Sequence, residues 1–121
     1  GWDKEYGGII QFMDVLGKPK SDYWHDMKFW WPQTEAAIAT LYAYYFTKDK
    51  KYLEKHFMVK EYTNKFIDKE FGEWFGYLHR DGSLSTDLKG NMYKGPFHIP
   101  RMYMKCVEMI DLINNKKDSS N

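Results

Sequence analysis

Cysteine is nearly missing from this chain: Cys106 is the one cysteine in 121 residues. It can form no internal disulfide, and a reducing, cytoplasmic setting fits that usage. An excess of either charge is missing too, since 18 basic and 17 acidic side chains leave a formal net charge of +1. That balance provides no electrostatic footprint for nucleic acid, and Lys116-Lys117 is too short to act as a basic patch. No apolar run approaches the length of a membrane span, so no membrane partner is expected. The histidines and the single cysteine show no zinc-ligand spacing, and no Gly-rich phosphate loop is present. Internal repeats and low-complexity segments are absent as well.

Aromatic residues are abundant, at 19% of the chain with five Trp and ten Tyr. They suit a packed core or a pocket that stacks on sugar rings, and both readings stand. The length fits one domain with a modest core.

Residues 7–20 read as a short hairpin, with Ile9, Ile10, Phe12 and Val15 favouring strands between glycine-rich turns. A helix is predicted over about 33–46, where Ile38, Leu41, Tyr42 and Tyr45 follow helical spacing and four alanines permit close packing. Asp49 is the expected N-cap of a second helix. That helix is predicted over about 50–71, with a break near Phe57-Met58 and a stripe through Tyr52, Leu53, Phe57, Tyr62, Phe66 and Ile67. His56 is placed on its solvated face. The two helices form one αα-hairpin. Residues 74–85 suggest a hairpin closed at Asp81-Gly82. A last helix is predicted over about 101–114, its stripe formed by Tyr103, Val107, Ile110 and Ile113, with Cys106 as a small buried hydrophobe.

The segment Gly95-Pro96-Phe97-His98-Ile99-Pro100-Arg101 is the most informative. Proline is favoured at the first helical position, which would put His98 just outside a helix N-terminus, where the macrodipole disfavours positive charge. A neutral imidazole near exposed backbone N–H groups suits general acid/base work on anionic intermediates. Phe29-Trp30-Trp31-Pro32-Gln33-Thr34-Glu35 repeats the pattern, with Glu35 in the expected first turn. A plain role for Glu35 there, as a favourable charge contributing about 0.3–1 kcal/mol, stays open. Tyr93 and Phe97 flank His98 as a candidate apolar wall.

These two stretches, together with Gly72-Glu73-Trp74-Phe75-Gly76-Tyr77-Leu78 and Arg80-Asp81-Gly82, closely resemble the N-acylglucosamine 2-epimerase family. That family includes the renin-binding proteins and, more distantly, cellobiose 2-epimerases and mannose-type aldose–ketose isomerases. The motifs stand in family order, and the resemblance runs from about Gly7 to about Ile113. It implies an all-α fold, the C-terminal part of an (α/α)6 toroid with short β-hairpins in its loops. Residues 1–115 would form that part, followed by a polar tail over 116–121. The implied reaction is 2-epimerisation of a sugar of the N-acylglucosamine type, by removal and return of the C2 proton through an enediolate.

By the same resemblance, His98 and Glu35 are catalytic, while Trp30, Trp31, Phe97 and Arg101 bind substrate. Arg101 either touches sugar or braces the loop. A second catalytic histidine belongs to upstream sequence that this chain lacks, which makes the chain an incomplete part of such an enzyme. No metal and no cofactor is required. ATP is an allosteric effector that the resemblance allows, and no motif here locates it. Rival readings are a non-catalytic truncated member that binds carbohydrate or protein, and an aldose–ketose isomerase of the same superfamily. A glycoside hydrolase would need a carboxylate pair across the scissile bond, and Glu35 has no matched partner. An incomplete toroid leaves apolar faces uncovered, so self-association is expected.

Overall fold

The computed structural model describes residues 1–118. Its elements are β1 (Lys28–Phe29), α1 (Trp30–Thr47), α2 (Lys50–Thr63), β2 (Tyr77–Leu78) and α3 (His98–Asp118). β1 and β2 pair antiparallel, with Lys28 opposite Leu78 and Phe29 opposite Tyr77. α1 is central, and both α2 and α3 pack on it. The core joins Trp30, Ala37 and Ile38 of α1 to Val59, Tyr62 and Phe66, to Trp74 and Leu78, and to Met102 of α3. No helix among the described residues is long and apolar enough to cross a membrane.

The predicted αα-hairpin is present. Asp49 caps α2 by accepting the Lys51 N–H at 3.0 Å. α2 differs from its expected form at both its middle and its end. It is unbroken at Phe57-Met58, both of which are exposed. It ends at Thr63, passes through a 3-10 turn over Asn64–Phe66, and gives way to extended backbone at Ile67, which bridges Trp74. Burial explains the early exit: the Phe66 ring is fully enclosed and stacks on Trp74 at 5.8 Å. Asp68 then accepts the N–H groups of Glu70 and Phe71, making a turn in place of further helix. The buried stripe of α2 therefore runs through His56, Val59 and Tyr62. His56 is not solvated: its Nδ1 lies 3.0 Å from the Ala37 carbonyl, and burial lowers its pKa.

α3 starts earlier and ends later than predicted. Residues 116–118 of the expected tail are helical, and 119–121 lie outside the described residues. Its buried face is also displaced. Met102 and Met109 are buried, with Ile99 and Cys106 packed beside the core, while Tyr103, Val107 and Ile110 face outward. The helix carries two apolar stripes, and the flexible methionine side chains are the ones that fit the alanine-rich flank of α1.

The hairpin expected over 7–20 does not form. Gly7, Gly8 and Gly17 adopt left-handed φ, and the chain instead pairs at long range. Gln11 donates its N–H to the Met27 carbonyl and Phe12 to that of His25. The predicted 74–85 hairpin does form in short compass, through a Leu78–Leu84 bridge and a turn with Gly82 at φ 89°.

A buried ion cluster ties these segments together. Lys28 is fully enclosed, and its ammonium donates to Asp3 at 2.9 Å, to the Gly7 carbonyl at 2.6 Å and to the Arg80 carbonyl at 3.1 Å. Burial opposes the Asp3 charge, but hydrogen bonds from Arg80, Lys28 and the Glu5 N–H outweigh it and hold the carboxyl well below the usual range. Gly8 is in close contact with the Tyr62 ring; a Cβ there would lie 2.4 Å from it.

Lys28→Ala removes one of the two cations paired with the buried Asp3 carboxylate, and with it the ties to Gly7 and Arg80, and is expected to lower the unfolding free energy by about 3 kcal/mol in urea titrations. A loss below about 1 kcal/mol would show that the cluster does not hold the N-terminal segment. Because the folded Asp3 pKa is depressed, its stabilisation is present at neutral pH and is lost as pH falls below 3.8 toward the folded value.

Candidate active site

Two helix starts face each other. α1 begins at Trp30, earlier than predicted, because the Trp30 N–H is taken by the Gly76 carbonyl at 3.0 Å. Pro32 is therefore the third helical residue and Glu35 sits in the second turn, so Glu35 is not a first-turn charge. α3 likewise begins at His98, and Arg101 donates the first helical bond to the Phe97 carbonyl. His98 thus belongs to the helix rather than preceding it, and Pro100 is third. Both prolines still fall among positions whose N–H groups have no intrahelical acceptor, so neither removes a bond.

Helical spacing then assembles the group. His98 and Arg101, three apart, share one face of α3; Trp31 and Glu35, four apart, share one face of α1. Glu35 Oε1 lies 3.0 Å from His98 Nδ1 and also accepts from Arg101 Nη1. With Nδ1–H donating to the carboxylate, the neutral ring keeps Nε2 as its basic nitrogen. Burial opposes the Glu35 charge, but the bonds from Arg101 and His98 outweigh it and keep its pKa below the ordinary value. Glu35 is accordingly a carboxylate at neutral pH.

Aromatic rings surround His98. Phe97 meets it edge-on with centroids 5.0 Å apart, Trp31 lies at 6.0 Å and Trp30 at 6.2 Å. The Arg101 guanidinium also covers the Phe97 ring at 5.7 Å. All six residues singled out in the sequence are therefore brought together. Their burial differs: Trp30 is only 3% exposed and belongs to the core, Trp31 is half-buried, and Phe97 is mostly open. Tyr93, expected as part of an apolar wall, is exposed. Both tryptophans line a groove of about 690 Å³ with Trp24, Phe29 and Tyr77. Neither that groove nor a second depression of about 540 Å³, beside Tyr6, Asp26 and Arg80, is lined by Glu35, His98 or Arg101. No cluster of three or more His, Cys, Asp or Glu among the described residues is arranged to hold a metal ion.

Sequence reasoning missed the buried polar residues that support this group. Gln33, fully enclosed, pairs with both backbone groups of Ile9 at 2.8 Å, acting like an added strand residue. Thr34 Oγ1 donates to the Trp31 carbonyl at 2.8 Å. The one available signal was the run of polar residues directly behind Trp30-Trp31-Pro32, on a helix with little other polarity.

A family model described as N-acylglucosamine 2-epimerase matches residues 1–98, so the match ends at His98. N-acylglucosamine 2-epimerase of Bos taurus is 46% identical over 112 residues, which are 92% of this chain and 26% of that protein. Among solved structures, a D-mannose isomerase superposes with a TM-score of 0.76 at 25% identity, over 91% of this chain and 27% of the other. The cellobiose 2-epimerase of Spirochaeta thermophila gives 0.67 at 32% identity, over 74% and 23%. The chain thus spans about a quarter of the length of the relatives it matches. Its helices have the fold of these toroid-class sugar epimerases and isomerases.

Glu35→Gln keeps the shape and removes the charge. Since the folded Glu35 pKa is depressed, wild type is expected to exceed the variant in stability at neutral pH, and the gap should close as pH falls below 4.5. Urea unfolding of both proteins at pH 7 and about pH 3 measures this; a gap independent of pH would exclude an ionised Glu35 as the partner of Arg101.

Proposed function

The chain belongs to the N-acylglucosamine 2-epimerase family, and from that premise we propose that it carries one acid/base half of the active site of a sugar 2-epimerase acting on N-acylated amino sugars. The observation that carries the reading is the hydrogen bond from His98 Nδ1 to Glu35, made beside an aromatic wall. It orients the ring, sets Nε2 as the nitrogen that takes a proton, and supplies a negative charge to balance the imidazolium that results.

In the proposed reaction the ring-opened sugar presents its C2–H to one base. The C–H electron pair moves into the C1–C2 bond and the carbonyl oxygen takes up the charge. Because C2 of an N-acylated amino sugar carries nitrogen, the intermediate is an enolate where a 2-hydroxy sugar would give an enediolate. Return of a proton to the opposite face of C2 gives the epimer, which needs a second acid/base group across the sugar. We assign that group to polypeptide outside this chain. Trp31, with part of its ring open, offers a flat apolar surface for the sugar C–H face. Arg101, held between Glu35 and Phe97, is read as bracing the carboxylate. The step is proton transfer alone and consumes no cofactor.

A second reading, an aldose–ketose isomerase, takes a 2-hydroxy sugar: the same base removes C2–H, a proton passes from O2 to O1 of the enediolate, and a proton returned to C1 gives the ketose. Similarity to a D-mannose isomerase over 91% of the chain supports it.

In the full-length protein, His98→Ala is expected to lower kcat by roughly 10²–10⁴-fold. Proton NMR of N-acetylmannosamine in D2O, following loss of the C2–H signal, measures it; a kcat within about tenfold of wild type would overturn the assignment. A ketose formed from mannose in a parallel reaction would select the second reading. The 121-residue chain alone is expected to give no exchange. Because Tyr103, Met104, Val107 and Ile110 face outward on α3, we also expect that isolated chain to self-associate. A monodisperse monomer in light scattering would contradict this.

A further inference from the structure

The motif Gly72–Leu78 supplies no side chain to the Glu35–His98–Arg101 group, and its role is explained by a residue that no motif reading marked. Lys94 lies in the loop between β2 and α3, four residues before His98. Its side chain is only 4% exposed. The ammonium donates to the Lys89 carbonyl at 2.6 Å and to Glu73 Oε1 at 3.3 Å. The same Glu73 oxygen accepts the Trp74 N–H at 2.8 Å.

The Lys94 stem crosses the face of Gly76. A Cβ built on Gly76 would lie 3.0 Å from Lys94 Cδ and 3.7 Å from Trp30 Cε3. Glycine is needed here for space, not for a left-handed backbone. The carbonyl of Gly76 is also the acceptor that starts α1 at Trp30. At its own backbone, the Lys94 N–H donates to Asn91 Oδ1 at 2.9 Å, and Asn91 Nδ2 donates to the Tyr77 hydroxyl at 2.9 Å. The loop before His98 is therefore fastened by one buried side chain to the motif turn, whose Gly76 carbonyl in turn holds the N–H of the tryptophan that borders the His98 ring.

We propose that Lys94 is a positioning residue: its buried side chain straps the His98-bearing loop to the Glu73–Gly76 turn that holds the start of α1, and Gly76 is glycine so that the strap can lie there. Catalytic side chains need placement within about 0.5 Å, and displacement by about 1 Å can cost roughly 10²-fold in rate. The kinetic arm of the proposal rests on the epimerase reading above.

The test uses the full-length protein. Lys94→Met keeps most of the stem and removes the ammonium; its partner Glu73 is half-exposed, so no buried charge is stranded. Expected is a fall in kcat of about 10-fold or more with KM within about twofold. Glu73→Gln, at the exposed partner, should move kcat in the same direction without touching the core. Gly76→Ala should cost rate in the wild-type background and little further in Lys94→Ala, where the clashing stem is gone. His98 ring signals in proton–carbon NMR should shift in Lys94→Met. Wild-type kcat in Lys94→Met and Gly76→Ala, with His98 signals unmoved, would overturn the proposal. If wild type itself shows no C2–H exchange, the epimerase reading fails separately. The NMR comparison then decides the strap alone: shifted His98 signals support it and unmoved signals reject it.

Discussion

The buried Lys28 ammonium is the constraint on which the rest of the structure depends. A fully enclosed cation must satisfy its protons, and here it does so with three partners from two separate stretches of chain: Asp3 and Gly7 in the N-terminal turn, and Arg80. Satisfying it seats the N-terminal segment against Tyr62 and holds the turn after β2. Lys28 is also the first residue of β1, so the same contact sets where the two-stranded ladder forms and hence where α1 begins. A second buried lysine, Lys94, fastens the loop at the other side of β2. The short ladder is thereby held on both sides, which two residue pairs could not achieve alone.

From that fixed start the site follows by helix geometry. α1 and α3 present their first turns to one another, and side chains three or four apart converge on a single Glu35 oxygen. Charge balance is local: the half-buried carboxylate has an arginine and a histidine as partners. This leaves His98 oriented, with one nitrogen committed and one available. The aromatic wall around it is shared between core and groove, Trp30 belonging to the first and Trp31 partly to the second.

The outward apolar stripe of α3 fits the chain's length relative to its relatives. The chain covers about a quarter of them, and a toroid buries its helices by packing each hairpin on its neighbours. Here α1 is covered on two sides while α3 is covered on one. Two apolar stripes on one helix are what such an arrangement requires.

Local chemistry in the sequence was enough to determine much of this protein. Helical spacing and alanines marked α1, Asp49 marked the start of α2, and Asp81-Gly82 marked the turn, because each depends on residues near one another in the chain. The ordered motifs named the family and, with Glu35 and His98, the four residues that gather around them. Tertiary structure alone decided which stripe of α2 and of α3 was buried, since both helices carry apolar residues on more than one face and only the partner surface chooses between them. It moved the start of α1 upstream, because a distant carbonyl, that of Gly76, accepts the Trp30 N–H. It also buried Asp3, Lys28, Gln33, His56 and Lys94. Polar side chains read as surface in a sequence; only a partner brought from far along the chain can offset their desolvation, and that partner is visible only in the fold.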